Sequence, residues 1–144
     1  MVQTKSRMSL TPMAATTASR PRPLSPHLSQ WRWRANMAVS ILHRITGHAL
    51  ALGVIPILLW WLLALAAGPQ AYAQWLEVAR GPAGYVAGVG ATWLVLQHLA
   101  NGVRHLVMDT GAGFEPAHAR ATAAGTLAFS LIATLAIWAL VIWG

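Results

Sequence analysis

Cysteine is absent from the 144 residues of this chain, and acidic side chains are scarce, with three Asp and Glu against ten Lys and Arg. The missing thiols exclude disulfides, thiolate metal ligands and cysteine nucleophiles, which leaves the six histidines as the best metal ligands in the sequence. Charge of either sign is also rare, since charged residues make up 9% of the chain and hydrophobic residues 56%. That balance is too apolar for a soluble fold of this length and indicates a membrane protein.

Three long stretches contain no charged residue. They are 45–67, 81–103 and 121–144, with lengths of 23, 23 and 24 residues. Each exceeds the ~20 residues that a helix needs to cross a hydrocarbon core about 30 Å thick. We therefore predict an all-α membrane protein in which three transmembrane helices form an up-down bundle. A soluble all-helical core is the disfavoured alternative.

The predicted organisation has a tail with an interfacial segment over 1–34 and a three-helix anchor domain over 35–144. The expected helices span about 35–67, 82–108 and 120–143. Pro56 should kink the first of them, and Gly68 followed by Pro69 marks its end. A short interfacial helix is expected in the first loop.

The basic residues are concentrated on one side of the predicted membrane. Six of them precede the first span: Lys5, Arg7, Arg20, Arg22, Arg32 and Arg34. Arg104 and Arg120 flank the second loop, whereas the first loop carries only Arg80 together with Glu77. The positive-inside rule then places the N-terminus and the second loop in the cytoplasm. Because the basic residues flank spans and form no groove, we expect membrane lipid and no nucleic acid as a partner.

The composition of the tail bears on location. Residues 1–24 are rich in Ser, Thr, Pro and Arg and contain no acid, which suits a bacterial cytoplasmic tail and also a mitochondrial transit peptide. The Ala, Gly and Arg usage of the whole chain favours the bacterial inner membrane, with the mitochondrial inner membrane as the alternative. Trp31 and Trp33 after the tail are typical of an interfacial belt.

A polar stripe runs along the second predicted helix, formed at offsets of 3, 4, 7 and 11 residues by His98, Asn101, Gly102, His105 and Asp109. His98 lies roughly 9 Å deeper than Arg104 at 1.5 Å per residue, within the hydrocarbon region. One interpretation is a hydrogen-bonded residue that joins two helices. The other is an axial ligand to haem iron, for which imidazole is a standard donor.

The first helix carries a matching set, because Ser40, Arg44 and Gly47 share a face. Arg44 and Arg104 are expected at the same depth, where they suit the propionates of a haem bound at His98. For either arginine alone, a side chain that snorkels to the interface is the simpler interpretation. An Arg at membrane depth is disfavoured by at least ~2.5 kcal/mol, so the conjunction with His98 favours a site.

Three segments carry a family resemblance: Arg22-Pro-Leu-Ser-Pro-His27-Leu28, Ser40-Ile-Leu-His-Arg-Ile-Thr-Gly47 and His98-Leu-Ala-Asn-Gly-Val-Arg-His-Leu-Val-Met-Asp109. They resemble the cytochrome b556 subunits of succinate dehydrogenase, the larger membrane anchor of respiratory complex II. The order of the motifs, the three spans and the chain length match as well. The tail before about Arg20 and the third helix carry no diagnostic residues.

The resemblance implies a membrane-anchor subunit of a quinone-reducing succinate dehydrogenase. Such a subunit is not catalytic by itself. Such a subunit binds one haem b jointly with a second hydrophobic anchor subunit. The implied partners also include a flavoprotein that holds FAD and an iron–sulfur subunit. Electrons from succinate then pass through flavin and iron–sulfur clusters to ubiquinone, and the protein contributes orientation and electrostatics.

The resemblance also implies roles for single residues. His98 is the expected axial ligand of the haem iron. Ser40 and Arg44 are expected to line the quinone site, with the Ser40 hydroxyl on a quinone oxygen and Arg44 between quinone and haem propionate. His43 and His105 are expected near the propionates.

His48 lies outside the family pattern, one helical turn deeper than Arg44. From geometry alone it could supply the second axial ligand within the same chain, whereas the family takes that ligand from the partner subunit. The partner is the favoured source.

Two functions of other classes compete with this prediction. A small transporter or channel subunit would use Arg44 and Arg104 as an anion site, but the second helix has no mid-span break and the chain has no inverted repeat. A haem-free structural anchor would only dock soluble subunits. A reduced-minus-oxidised optical spectrum separates the three.

Overall fold

A computed structural model of the chain describes residues 32–144, and within that range all regular structure is helical. This confirms the all-α class. The four helices are α1, Ala35–Ala67; α2, Pro69–Arg80; α3, Pro82–Asp109; and α4, Pro116–Trp143. Residues 1–31 lie outside the described residues, and they include the segment 22–28 and Trp31.

Proline determines where the last three helices begin. Pro69, Pro82 and Pro116 each occupy a first-turn position, where the missing N–H has no partner to lose and the fixed φ suits a helix. Gly68 ends α1 with a φ of 106°, a conformation that favours glycine. α4 therefore starts at Pro116 and not at about Arg120, because the proline sets the helix start and the charge only marks the edge of the apolar run.

The proline in the middle of α1 follows a π-helical turn over Leu50–Val54. Pro56 has no N–H to donate to the carbonyl four residues earlier. In the wider turn, the N–H of Ile55 bonds the carbonyl of Leu50 instead. The helix thus continues through the proline, as π-bulges allow.

Two of the helices, α1 with 33 residues and α4 with 28, are long and apolar enough to cross a membrane. α3 also has 28 residues, about 42 Å at 1.5 Å per residue, which exceeds the hydrocarbon thickness. Its polar stripe lowers its hydropathy.

The interior of the described residues is more polar than the outside. Side chains buried between the helices include these polar ones: Thr46, Gln97, Asn101, Arg104, Thr126, Ser130 and Thr134. Large apolar side chains point outward, with Leu52 78% exposed and Val86 75% exposed. A soluble protein shows the reverse, whereas membrane helices bury small and polar groups and face lipid with apolar ones.

α3 packs against each of the other described helices, α1, α2 and α4. Its last turns meet the first turns of α1, where the Asn101 amide donates to the Val39 carbonyl at 3.4 Å. Its first turns meet the last turns of α4, where the Trp138 indole donates to Thr92 Oγ1 at 3.1 Å. A Cβ on Gly88 would lie 2.8 Å from the Trp138 ring, so glycine permits this approach.

Candidate functional site

Three histidines meet where the start of α1 crosses the end of α3. The rings of His43 and His98 stack with centroids 3.9 Å apart and planes 10° from parallel. The ring of His105 lies 5.2 Å from that of His43 at a tilt of 50°. The polar stripe of α3 therefore faces α1, and the structure brings His43, His98 and His105 together.

Thr46 lies beneath this cluster and is fully buried. Its hydroxyl oxygen lies 3.0 Å from the carbonyl of His43 and 3.0 Å from Nδ1 of His98. One ring nitrogen of His98 thus joins the two helices. The other, Nε2, has no hydrogen-bond partner among residues 32–144.

Two glycines lie against these rings, and one of them, Gly47, allows an unusually close approach. A Cβ on Gly47 would lie 3.1 Å from Cε1 of His98, tighter than an ordinary van der Waals contact. A Cβ on Gly102 would lie 3.7 Å from Cε1 of His43. Gly47 in particular brings the backbone of α1 against the edge of the His98 ring.

Two open grooves flank the stacked pair. One has a volume of about 360 Å³ and is lined by His43, Arg44, Gly47, His48, Ala51 and His98. The other has about 500 Å³ and includes His105 and Gly102 beside His43 and His98. His43 and His98 therefore line both grooves, each of which is open toward the outside of the described chain.

Arg44, Ser40 and His48 surround this region on α1. Arg44 is exposed and lines the first groove, and Ser40 lies half-buried one turn earlier on the same helix. His48 is exposed in the same groove, with its Nδ1 2.7 Å from the Arg44 carbonyl. A carbonyl only accepts, so Nδ1 of His48 donates and its Nε2 keeps the lone pair.

Arg104 points away from the histidines. It is buried, its Nε donates to Thr122 Oγ1 at 3.2 Å, and its Nη2 donates to the Ala119 carbonyl at 3.3 Å. It lines a separate cavity of about 210 Å³ between α3 and α4. Six residues turn a helix by about 240°, so Arg104 cannot share the face of His98. Arg104 therefore does not line the groove that holds Arg44 and His98, although the sequence favoured both arginines near the haem propionates.

Residues 18–137 match the family model described as succinate dehydrogenase/fumarate reductase transmembrane subunit. The chain belongs to this family. It is also similar to the succinate dehydrogenase cytochrome b556 subunit of Paracoccus denitrificans, with 38% identity over 122 residues that cover 85% of this chain and 92% of the relative. These matches confirm the family resemblance inferred from the sequence motifs.

Other relatives span bacteria and mitochondria. The cytochrome b556 subunit of Rickettsia typhi is 36% identical over 117 residues, covering 81% of this transmembrane subunit and 90% of the relative. The mitochondrial cytochrome b560 subunit of Sus scrofa is 42% identical over 97 residues, which cover 64% of this chain and 55% of the relative. These relatives are subunits of succinate dehydrogenase, an oxidoreductase complex, and a transmembrane subunit of this kind is not itself catalytic.

The donor set of this transmembrane subunit fits a haem better than a bare metal ion. Within residues 32–144 no three His, Asp or Glu side chains gather as metal ligands. A haem iron needs only one imidazole from a given chain, and Nε2 of His98 is free for it. Arg44 and His43 in the adjoining groove supply donors suited to carboxylates.

The sequence motifs gave no role to three buried residues of this subunit. Thr46 stands in the first motif and bonds His98, and Gln97 precedes His98 and accepts a hydrogen bond from Ser130 on α4 at 2.7 Å. Thr46 could have been found from the sequence, because it is a polar residue three positions after His43 on the same helix. Ser130 offered no such signal, because Ser is common in membrane helices.

Proposed function

We propose that this chain is the larger membrane anchor of a succinate:quinone oxidoreductase and binds haem b jointly with a second hydrophobic subunit. One observation carries the proposal. His98, on a helix long enough to span the membrane, is tied through Nδ1 to Thr46 and keeps Nε2 free at the junction of two open grooves. A residue that only joined two helices would need no such groove at its second nitrogen.

The proposed topology has three spans, α1, α3 and α4, in an up-down bundle with a cytoplasmic N-terminus in the bacterial inner membrane. Contacts between residues near 39 and 101, and between residues near 92 and 138, support antiparallel neighbours. The distribution of basic residues supports the orientation. The mitochondrial inner membrane stays the alternative location.

In this proposal His98 is the axial ligand, and His43, Arg44 and His105 surround the haem edge. The haem supplies one-electron transfer when bound. The imidazole positions the iron, and the positive guanidinium of Arg44 compensates the negative propionates in a medium of low dielectric. Arg104 supports the site indirectly, because its hydrogen bonds hold α3 against α4.

Ubiquinone is the proposed substrate at the start of α1. Ser40 and Arg44 are one turn apart, so both side chains can reach one ligand. A quinone carbonyl gains negative charge as it is reduced, and a cation beside a hydroxyl donor stabilises that charge. The electrons would come from an iron–sulfur subunit docked at this end, itself supplied by a flavoprotein that holds FAD.

The open grooves support a second axial ligand from a partner subunit. His48 is the alternative source, because it lines the same groove as His98 and also keeps its Nε2 free. Changing His48 to Ala in the complete complex should leave the low-spin haem spectrum intact if the partner supplies the ligand. Loss of that spectrum would identify an intrachain histidine pair.

The haem assignment is tested by His98→Ala in the complex purified with all its subunits. We expect the b-type bands of the reduced-minus-oxidised spectrum to disappear or change severely, while assembly survives in part. His118→Ala, an exposed histidine on α4, is the matched control and should keep the bands. An unchanged low-spin spectrum in His98→Ala would refute the assignment.

The same spectrum decides between functional classes. A parental complex without b-type bands, yet with normal docking of the soluble subunits, would indicate a haem-free anchor. A chain that purifies without partners and moves anions in an Arg44-dependent way would indicate a transporter.

A further inference from the structure

We propose that Thr46 is a positioning residue for the haem ligand, whose hydroxyl accepts the Nδ1–H of His98 and so reserves Nε2 for iron. The inference rests on the proposed function, because it concerns His98 as a haem ligand. Thr46 is fully buried, and its hydroxyl lies against the ring of His98. It is not among the residues proposed for the quinone site, Ser40 and Arg44.

The single hydroxyl proton of Thr46 determines which nitrogen of His98 carries a proton. The hydroxyl of Thr46 has one hydrogen and two neighbours at 3.0 Å, the carbonyl of His43 and Nδ1 of His98. A carbonyl oxygen can only accept, so the hydroxyl donates to it and its oxygen is left to accept from the ring. Nδ1 of His98 then carries the proton, and Nε2 carries the lone pair that a metal requires.

The surroundings of Thr46 preserve this arrangement. The side chain is fully buried, so water does not compete for either bond. The ring of His98 is held on one face by His43 at 3.9 Å and on its edge by Gly47, where a Cβ would lie 3.1 Å from Cε1. With its face, edge and Nδ1 all in contact, the imidazole has one orientation.

The hydrogen bond also has an electronic consequence. An imidazole that donates its second N–H to an acceptor becomes a more basic ligand. A more basic ligand favours ferric over ferrous iron, so the bond should lower the midpoint potential of the haem. Removal of the Thr46 hydroxyl should therefore raise that potential and loosen the orientation of the ring.

The test uses the complete complex with Thr46→Val, which keeps the shape of the side chain and removes the hydroxyl. We expect haem to remain bound in parental stoichiometry, its midpoint potential to shift upward, and the g-values of its ferric EPR signal to change. Thr46→Ser, which restores the hydroxyl, should return both measurements toward the parental values. Thr46→Ala serves in place of Thr46→Val if the valine variant does not assemble.

Thr126→Val is the matched control. Thr126 is also buried, and its hydroxyl likewise donates to a carbonyl three residues earlier, that of Ala123 at 2.9 Å, but it has no hydrogen bond to a histidine of the described residues. In this variant the midpoint potential of the haem and the g-values of its ferric signal should equal the parental values. Equal potentials and g-values in the parent and in Thr46→Val, or in Thr46→Ala where it takes the place of Thr46→Val, would overturn the inference.

The inference and the proposed function fail in different ways. Haem that depends on His98 but is indifferent to Thr46 refutes only the positioning role. Haem that survives His98→Ala refutes the ligand assignment, and with it the basis of the inference.

Discussion

The side chains at the start of α1 divide into two groups by their burial. Thr46 and Val39 are enclosed against α3, whereas Arg44 is exposed and Ser40 half-buried. Thr46 bonds His98 of the histidine cluster, and the Val39 carbonyl accepts from Asn101 of α3. The accessible group is free to meet a ligand, so substitutions there should affect function more than stability.

Ser40→Ala and Arg44→Leu should each lower succinate:quinone activity on the order of 10²-fold, because each removes a group that is proposed to stabilise charge on the reduced quinone oxygen. Succinate oxidation by an artificial dye that bypasses the membrane site should stay near the parental rate. Arg44→Leu should also perturb the haem spectrum, since its guanidinium is proposed near a propionate, whereas Ser40→Ala should not.

Two matched variants control this experiment. Ser130→Ala makes the same change in the interior of α4, and Arg80→Leu removes an exposed arginine at the end of α2. Both should retain parental quinone activity. If assembled, haem-replete Ser40→Ala and Arg44→Leu reduce quinone at the parental rate, the quinone site lies elsewhere.

At the scale of helices, α3 is held to its neighbours by close contacts and by polar side chains. The side of α3 toward α4 receives Trp138 over Gly88 and pairs Gln97 with Ser130. Apolar surface alone gives membrane helices little reason to associate, because lipid tails are equally apolar. Close approach and buried hydrogen bonds therefore determine this pairing.

Gly88→Ala should destabilise the complex by about 1 to 3 kcal/mol through overpacking. The added Cβ would lie 2.8 Å from the Trp138 ring, which cannot move freely because its indole is bonded to Thr92. Gly90→Ala on the same helix meets nothing within 4 Å and should be neutral or stabilising by up to ~1 kcal/mol. Thermal midpoints of the two purified variants measure the difference, and equal midpoints would contradict the close contact.

The Gln97–Ser130 pair predicts energetic coupling between α3 and α4. Ser130→Ala leaves the buried Gln97 amide oxygen without its donor, and Gln97→Leu removes the acceptor. The double variant should lose less stability than the sum of the single losses by about 0.6 to 1.7 kcal/mol. Unfolding of the complex by denaturing detergent measures the cycle. Gln97→Leu combined with Thr110→Val, whose exposed hydroxyl bonds only the Val107 carbonyl, should be additive.

For the whole molecule, the distribution of charge supports the proposed orientation in the membrane. Basic residues lie before α1 and around the loop between α3 and α4. The segment between α1 and α3, which contains α2, carries only Glu77 and Arg80. The outward apolar surface suits lipid and partner helices at any orientation. Orientation therefore follows from the loops and not from the packing.

The absence of cysteine makes this orientation directly measurable. Gln74→Cys in α2 and Ala112→Cys in the loop between α3 and α4 both replace exposed residues. A membrane-impermeant maleimide should label Gln74→Cys in spheroplasts and Ala112→Cys only in inside-out vesicles. The parental chain is an unlabelled control, because it has no thiol. Labelling of Ala112→Cys in intact spheroplasts would contradict the proposed topology.

Sequence alone determined the helical class, the number and length of the long apolar segments and the family. These depend on local properties: run length, charge position and motifs whose residues are close in the chain. The helix starts at Pro82 and Pro116 were also visible as local signals, although the charge boundary at Arg120 misplaced the second. The family resemblance implied that His43 lies near the propionates of a haem bound at His98, but helical spacing did not predict that the two rings meet.

Only the tertiary structure decided which side chains of different helices touch. It joined Thr46 to Nδ1 of His98, directed Arg104 into the contact with α4 and paired Gln97 with Ser130. The reason is geometric, since spacing specifies which residues share a face of one helix but not how that helix is rotated or shifted against the next. A rotation of one residue, about 100°, would exchange one set of partners for another.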